Sequence, residues 1–288
     1  MILVVGATGM LGSLIVRRLL GAEKQVRILV RPGSDHEALV EAGAQPVQGD
    51  LKEPASLEAA VRGVETVVTT ANSAQRGPPD TVEAVDLHGN RSLIDAAAAA
   101  GVGHFVFVTG APVTSADSPI PFIAAKGASE DRLRESGMTW TILAPNPYLE
   151  IWVAMVVAAP AVSDAEVVYV GSGERRHSMV SVNDVAQFAV ASVDNPAAHN
   201  RRLVIGGPAP ITWRDAVATF ERVLGRPLPQ RGVPPGEPVP GIPEQVVGLL
   251  AFLDTYDSPI DSTQLASEFG VRQTSLEDYA RSVAAGGN

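Results

Sequence analysis

The feature that most limits what this chain can fold into lies between residues 6 and 12. The run Gly6-Ala7-Thr8-Gly9-Met10-Leu11-Gly12 directly follows the apolar stretch Ile2-Leu3-Val4-Val5 and opens a segment with helical spacing. A strand, a glycine-punctuated turn and then a helix is the context that a dinucleotide-phosphate loop requires. Glycine permits the tight turn, lets the backbone come close to a pyrophosphate, and lets helix and strand pack at short range. The helix N-terminus adds free N–H groups and a partial positive charge that suit phosphate. The spacing is G-x-x-G-x-x-G, one residue longer than the usual fingerprint. Gly6, Thr8, Gly9, Met10, Leu11 and Gly12 are the expected phosphate-binding residues.

Short runs rich in Val, Ile and Phe recur after this loop: Val26–Val30, Pro46–Gln48, Thr66–Thr69, His104–Thr109 and Thr139–Leu143. Near-continuous apolar strands suit a parallel sheet covered on both faces, and helices between them imply right-handed crossovers. Leu11, Leu14, Ile15 and Leu19 form one helical stripe, and Gly101 closes an alanine-rich helix ending at Ala100. The expected architecture is α/β: a doubly wound, mainly parallel Rossmann-type sheet with a smaller C-terminal substrate-binding portion. The dinucleotide-binding domain is expected over residues 1–150. The substrate-binding portion is expected over 151–288, with some of its elements returning to the main sheet.

The end of the second strand should choose the cofactor. An acid there bonds a ribose 2′-hydroxyl, whereas an arginine accepts a 2′-phosphate. Here the residues are Val30-Arg31-Pro32, with no carboxylate before Asp35. Arg31 thus points to NADP(H), the alternative being an arginine that simply faces solvent. In Gly49-Asp50-Leu51, Asp50 either bonds the adenine amino group while Leu51 packs on the ring, or caps the helix behind it.

Composition excludes several classes. A net charge of −10 argues against nucleic acid as a partner, and no basic tail or stripe suggests a membrane surface. The chain has no cysteine, so disulfides, thiolate catalysis and sulfur-ligated metals are out. His36, His88, His104, His177 and His199 show no metal-ligand spacing, so no metal is expected. The longest apolar run, Ile151 to Val162, contains Pro160 and is well short of the roughly 20 residues that span a bilayer. With no leader-like N-terminus, the expected location is cytoplasmic.

Beyond residue 145 the rhythm loosens. Val167–Val170 and Arg202–Ile205 read as strands. Asn183 or Asp184 is placed to cap a helix running to about Val193, and Thr212 to cap one from Trp213 to Leu224, before Gly225. Residues 225–243, rich in Pro and Gly, read as a loop, with a short helix after it over Gln245–Leu253.

Taken together, the chain resembles the NmrA-like group of atypical short-chain dehydrogenase/reductases, which includes NADPH-dependent quinone reductases. Beside Gly6–Gly12, Val30-Arg31-Pro32 and Gly49-Asp50-Leu51, the likeness rests on Gly89-Asn90, Lys126 with Glu130, and Ser136 to Leu143. It continues through Val180 to Ala186 and Gly206-Gly207-Pro208. The group holds both enzymes and non-catalytic sensors.

The resemblance implies a Tyr-x-x-x-Lys acid pair, and here the chain departs from it. The segment reads Phe122-Ile123-Ala124-Ala125-Lys126, and phenylalanine has no proton to give. The usual carbonyl-orienting serine is also missing; Thr109, Thr114 and Ser115 are the nearest hydroxyls. What the resemblance leaves is Lys126, beside the nicotinamide ribose and able to polarise an acceptor oxygen. Otherwise it is a surface lysine paired with Glu130 one turn on. A quinone tolerates the loss of tyrosine, because its product is aromatic and its phenolate takes a proton from water. Asn146, Pro147, Tyr148 and Trp152, after the sixth strand, are the candidate substrate-pocket residues. Tyr148 and Trp152, four apart, present an aromatic face to a flat ligand or belong to a core stripe. The expected function is an NADPH-dependent oxidoreductase passing hydride to a quinone or similar conjugated small molecule. The alternative is a non-catalytic NADP(H) sensor acting through a protein partner.

Overall fold

The computed structural model describes residues 1–74, 76–112 and 115–286, with backbone only at residue 245. Strands β1 (Ile2–Val5), β2 (Val26–Val30), β3 (Gln45–Gln48), β4 (Thr66–Thr69), β5 (His104–Val108) and β6 (Thr139–Pro145) alternate with helices. They pair in parallel in the order β3-β2-β1-β4-β5-β6. A further strand, Arg201–Ile205, lies beside β6; it is β8 in chain order, after β7 (Val167–Val170). Every residue of β1, β4 and β5 is buried, as expected for continuous apolar strands covered on both faces. The strand order reverses between β1 and β4, so the loop after β1 opens at the switch point.

The chain forms two compact units. The first holds Met1–Pro145, Val185–Val204 and Phe269–Val271; the second holds Asn146–Asp184, Ile205–Glu268 and the chain from Arg272 onward. The core of the first gathers Leu3, Val67, Phe105 and Ile142 from the sheet with Leu57, Leu93 and Leu133 from the helices. The core of the second is built on Val153, Val157, Phe220 and Tyr279.

Several sequence expectations need correction. The helix after β3 begins at Pro54 with Glu53 at its N-cap, so Asp50 does not cap it. Asp50 instead accepts the Lys52 backbone N–H at 2.9 Å, closing a local turn of its own. The helix Val182–Ser192 begins before Asn183 and Asp184, so neither caps it. The Glu150 carboxylate does so, accepting from the Val182 N–H at 2.9 Å and the Ser181 hydroxyl at 2.5 Å. Asp184 turns to the backbone and hydroxyl of Thr274, both at 2.7 Å. Strand β7 does not join the main sheet; it pairs in parallel with β9, Gln230–Val233. That strand lies inside the stretch read as a loop. Three of its four residues are exposed, so no hydrophobic alternation marks it. The apolar run after Tyr148 winds as a π-helix, Leu149–Ala158. By contrast Thr212 caps Trp213–Leu224 in a full capping box with Asp215, and Gly225 ends it at φ +70°. Among the described residues no helix is long and apolar enough to cross a membrane.

His104, at the start of β5, gives a pH prediction. It is 7% exposed, with Nε2 2.9 Å from the Thr141 hydroxyl on β6. Burial, helped by the neighbouring His199 ring, pushes its pKa from 6.5 down to about 4. The unfolded chain therefore takes up a proton that the folded chain refuses. This contribution to stability is complete above pH 6.5 and is lost as pH falls towards about 4. The expected loss is about 3 kcal/mol at most, read from urea midpoints at neutral and acid pH. A His104→Gln variant should lack this part of the acid sensitivity. Equal losses in variant and wild type would remove His104 as its source.

Candidate functional site

The glycine loop divides its work among its glycines. Gly6 turns the chain out of β1 at φ +82°, and a Cβ there would lie 2.6 Å from the Thr70 hydroxyl and 3.0 Å from the Ala71 nitrogen. Gly12 sits where the helix Met10–Gly21 crosses the loop; its Cβ would lie 2.1 Å from the Gly6 oxygen. Gly9 is the N-cap, and only the Gly6 oxygen, at 3.3 Å, would meet its Cβ. No side chain caps this helix, and Thr8, Gly9 and Met10 are exposed. Leu11 turns inward to the core. A backbone open on the ligand side, ahead of an uncapped helix N-terminus, fits a dinucleotide pyrophosphate.

At the end of β2 the Arg31 guanidinium meets Asp80, with 2.5 Å between Nη1 and Oδ2. Lys52 pairs with the other oxygen of Asp80, and with Asp50 at 3.2 Å. Arg76 reaches Asp80 Oδ2 at 3.3 Å. The Lys52 ammonium, foremost, and Arg31 hold the Asp80 carboxyl down at about 2. Leu51 is buried in the core of the first unit, close to Gly89.

Lys126, on the helix Pro121–Arg134, is not a surface lysine: it is 2% exposed. Glu130 pairs with Arg134 at 2.7 Å and Arg202 at 3.1 Å instead. The Lys126 ammonium lies 3.3 Å from the fully buried Asp86 carboxylate and donates to the Ala71 carbonyl at 3.2 Å. It also lies 5.0 Å from the centre of the Phe107 ring and 5.7 Å from that of Phe122. Burial pushes the lysine pKa down, and Asp86 opposes it. Asp86 in turn accepts from the Ser73 N–H at 3.0 Å and its hydroxyl at 2.5 Å. Asn90 donates to the Val85 carbonyl at 3.2 Å in the same buried nest. Ala71, whose carbonyl the ammonium reaches, is also the residue whose N and Cα a Cβ at Gly6 would meet at 3.0 and 3.2 Å.

Asp86 was not singled out from the sequence. The signal was there: Val85, Asp86, Gly89, Asn90 and Leu93 share the inward stripe of the stretch from Val82 to Ala99, and two of them are polar. Thr109 follows β5, and its buried hydroxyl has no hydrogen-bond partner among the described residues. Thr114 lies outside the described residues. The orphaned Thr109 hydroxyl is costly unless a ligand or water meets it.

The four pocket candidates lie in the second unit. Asn146 is buried and donates to the Ser258 carbonyl at 3.2 Å and hydroxyl at 3.1 Å; its Oδ1 has no hydrogen-bond partner among the described residues. Pro147 and Tyr148 are half-buried, and burial raises the Tyr148 phenol so that it stays protonated. Tyr148 is the N-cap residue, with extended backbone, and its carbonyl accepts the Trp152 N–H at 2.9 Å. Trp152 packs on the core of the second unit. His177, also in this unit, is fixed between the Ser258 hydroxyl at 2.7 Å and the Leu253 carbonyl at 3.1 Å. Among the described residues no three His, Asp or Glu side chains are grouped to hold a metal.

Comparison with known proteins follows the same lines. A family model described as NAD(P)H-binding matches residues 6–196. An NAD(P)H azoreductase of Xenophilus azovorans is 33% identical over 228 residues, 79% of this chain and 75% of the relative. A photosystem II assembly factor of Cyanophora paradoxa is 31% identical over 227 residues, 78% and 69% of the two chains. The structure of an NADPH-dependent quinone oxidoreductase from Escherichia coli, complexed with NADPH, shares the fold with a TM-score of 0.82 at 22% identity. That match covers 97% of this chain and 98% of the other.

Proposed function

This chain belongs to the NAD(P)H-binding family, and from that premise we propose that it is an NADPH-dependent oxidoreductase reducing a quinone or a similar conjugated acceptor. The observation that carries the reading is the buried Lys126–Asp86 pair next to the glycine loop, with a phenylalanine ring in place of the acid. Gly6 to Gly12 would hold the pyrophosphate, and Arg31 the 2′-phosphate. NADPH supplies a hydride. The chain itself supplies position, a dry wall and one fixed positive charge.

Lys126 has three N–H groups; among the described residues one donates to the Ala71 carbonyl, and the ammonium charge is paired with Asp86 at 3.3 Å. A further N–H is available to polarise an acceptor oxygen or to hold a ribose hydroxyl. Burial lowers the Lys126 pKa and Asp86 opposes that shift, while the rings of Phe107 and Phe122 flank the ammonium. The Thr109 hydroxyl is a second group free to orient the ligand. An ordinary ketone needs a proton at its oxygen in the transition state, and Phe122 has none to give. A quinone takes hydride and forms an aromatic phenolate that solvent protonates afterwards. The relative named as an NAD(P)H azoreductase supports such an acceptor. For Asn146, Pro147, Tyr148 and Trp152 the lining role rests on their place after β6; the unpartnered Asn146 oxygen supports it best.

The test is to mix protein and NADPH, follow the cofactor's fluorescence, and then add a panel of quinones and azo dyes. Binding followed by consumption is the expected result. Binding without consumption across the panel would favour a non-catalytic NADP(H)-binding regulator instead.

A further inference from the structure

The cations at the end of β2 are not free. One carboxylate, Asp80, already ties three of them together: Arg31 at 2.5 Å, Arg76 at 3.3 Å and Lys52 on its other oxygen. Its side chain is 12% exposed, less than those of the arginines at 39% and 40% or the lysine at 26%. Two carboxylate oxygens shared among three cations is the arrangement a phosphomonoester takes up at an arginine and lysine cluster. It lies where the strand order places the adenosine ribose, directly after Val30. We propose that Asp80 is a built-in competitor for the 2′-phosphate, an internal anion that fills the Arg31–Lys52–Arg76 cluster and sets how strongly the protein prefers NADPH to NADH. The proposal rests on the reading of this chain as a dinucleotide-binding reductase.

The charge count explains the direction. Three cations against Asp80 and Asp50 leave the cluster with one net positive charge. A phosphate dianion entering beside Asp80 would face that carboxylate across the same guanidinium. Asp80 must then surrender its ion pairs or remain in place and repel the newcomer. Either way its charge opposes the phosphate and is indifferent to a ribose hydroxyl. The low pKa of Asp80 means that acid does not switch this opposition off at any ordinary pH.

The experiment measures dissociation constants for NADPH, NADH and adenosine 2′-monophosphate by calorimetry, for wild type, Asp80→Asn and Arg76→Ala. Asparagine keeps the shape and removes the charge. The expected result is NADPH and adenosine 2′-monophosphate binding about fivefold to tenfold tighter in Asp80→Asn, with NADH unchanged. Arg76→Ala, at an exposed residue, should weaken both 2′-phosphorylated ligands about threefold or more and leave NADH alone. Unchanged or weaker binding of the 2′-phosphorylated ligands in Asp80→Asn would overturn the proposal, because Asp80 would then be a tie for its loop. Should that variant not fold, an unchanged NADPH constant in Arg76→Ala would overturn it as well. Failure of the parent reading looks different. Wild type with no preference for NADPH, and a preference appearing only in Asp80→Asn, would uphold the competitor and refute NADPH as the working cofactor. Adenosine 2′-monophosphate binding to none of the three proteins would refute the competitor itself.

Discussion

Gly12→Ala should abolish measurable NADPH binding and lower stability, although it adds a single methyl group. The new Cβ would lie 2.1 Å from the Gly6 oxygen, 2.7 Å from its carbonyl carbon and 2.9 Å from Ala7 Cα. All three are backbone atoms, so no rotamer change relieves the contact. The helix must lift off the loop, and the N–H groups aimed at the pyrophosphate lift with it. Overpacking of this kind costs about 1–3 kcal/mol. Loss of aim at the phosphates should cost about 100-fold or more in affinity, since each 1.4 kcal/mol is tenfold. Gly21→Ala is the control. It sits at the end of the same helix with nothing within 4 Å of its Cβ, and alanine there should leave binding unchanged. Should Gly12→Ala bind NADPH as wild type does, the loop would be a plain turn.

Lys126→Met carries the other large effect, and two causes have to be separated. Removing the ammonium leaves Asp86 charged and fully buried with its ion-pair partner gone. Breaking a buried pair from one side costs about 3–5 kcal/mol. Turnover with quinone should fall about 100-fold or more if the ammonium also steadies the acceptor or the ribose. The double variant Lys126→Met/Asp86→Asn tells the causes apart. Asparagine can still accept from the Ser73 N–H and hydroxyl, so most of the lost stability should return in thermal melts. Activity should not return. A double variant that regained both would make Lys126 a structural partner of Asp86 and nothing more.

The sheet and the loop were legible in sequence because their signals are local. β1 announces itself through four consecutive apolar residues and the glycines behind them. Thr212, Asp215 and Gly225 mark both ends of one helix within a span of 14 residues, and the structure places a capping box and a left-handed stop there. The π-helical turn after Tyr148 was not legible, since a run with little polar contrast has no period to read. Nor was β9, whose Gly232 fits its partner only through backbone: a Cβ there would lie 2.3 Å from the Gly171 oxygen.

The candidate site divides in the same way. Gly6, Gly9, Gly12 and Arg31 could be named as candidates from their place after the first two strands, and Lys126 only through the family resemblance. Their partners could not. Asp86 is 40 residues from Lys126, Asp80 is 49 from Arg31, and Glu150 is 32 from the helix it caps. The sequence by itself determined the alternating strands, the glycine-punctuated turn after β1 and the phenylalanine four residues before Lys126. The tertiary structure alone decided that Lys126 is buried with a carboxylate and that Arg31 already holds one. A hydrogen-bonding pattern within a turn is encoded by neighbours a few residues apart. An ion pair across a fold exists only once burial has brought both charges within about 3 to 4 Å, where the low dielectric makes each the other's main interaction.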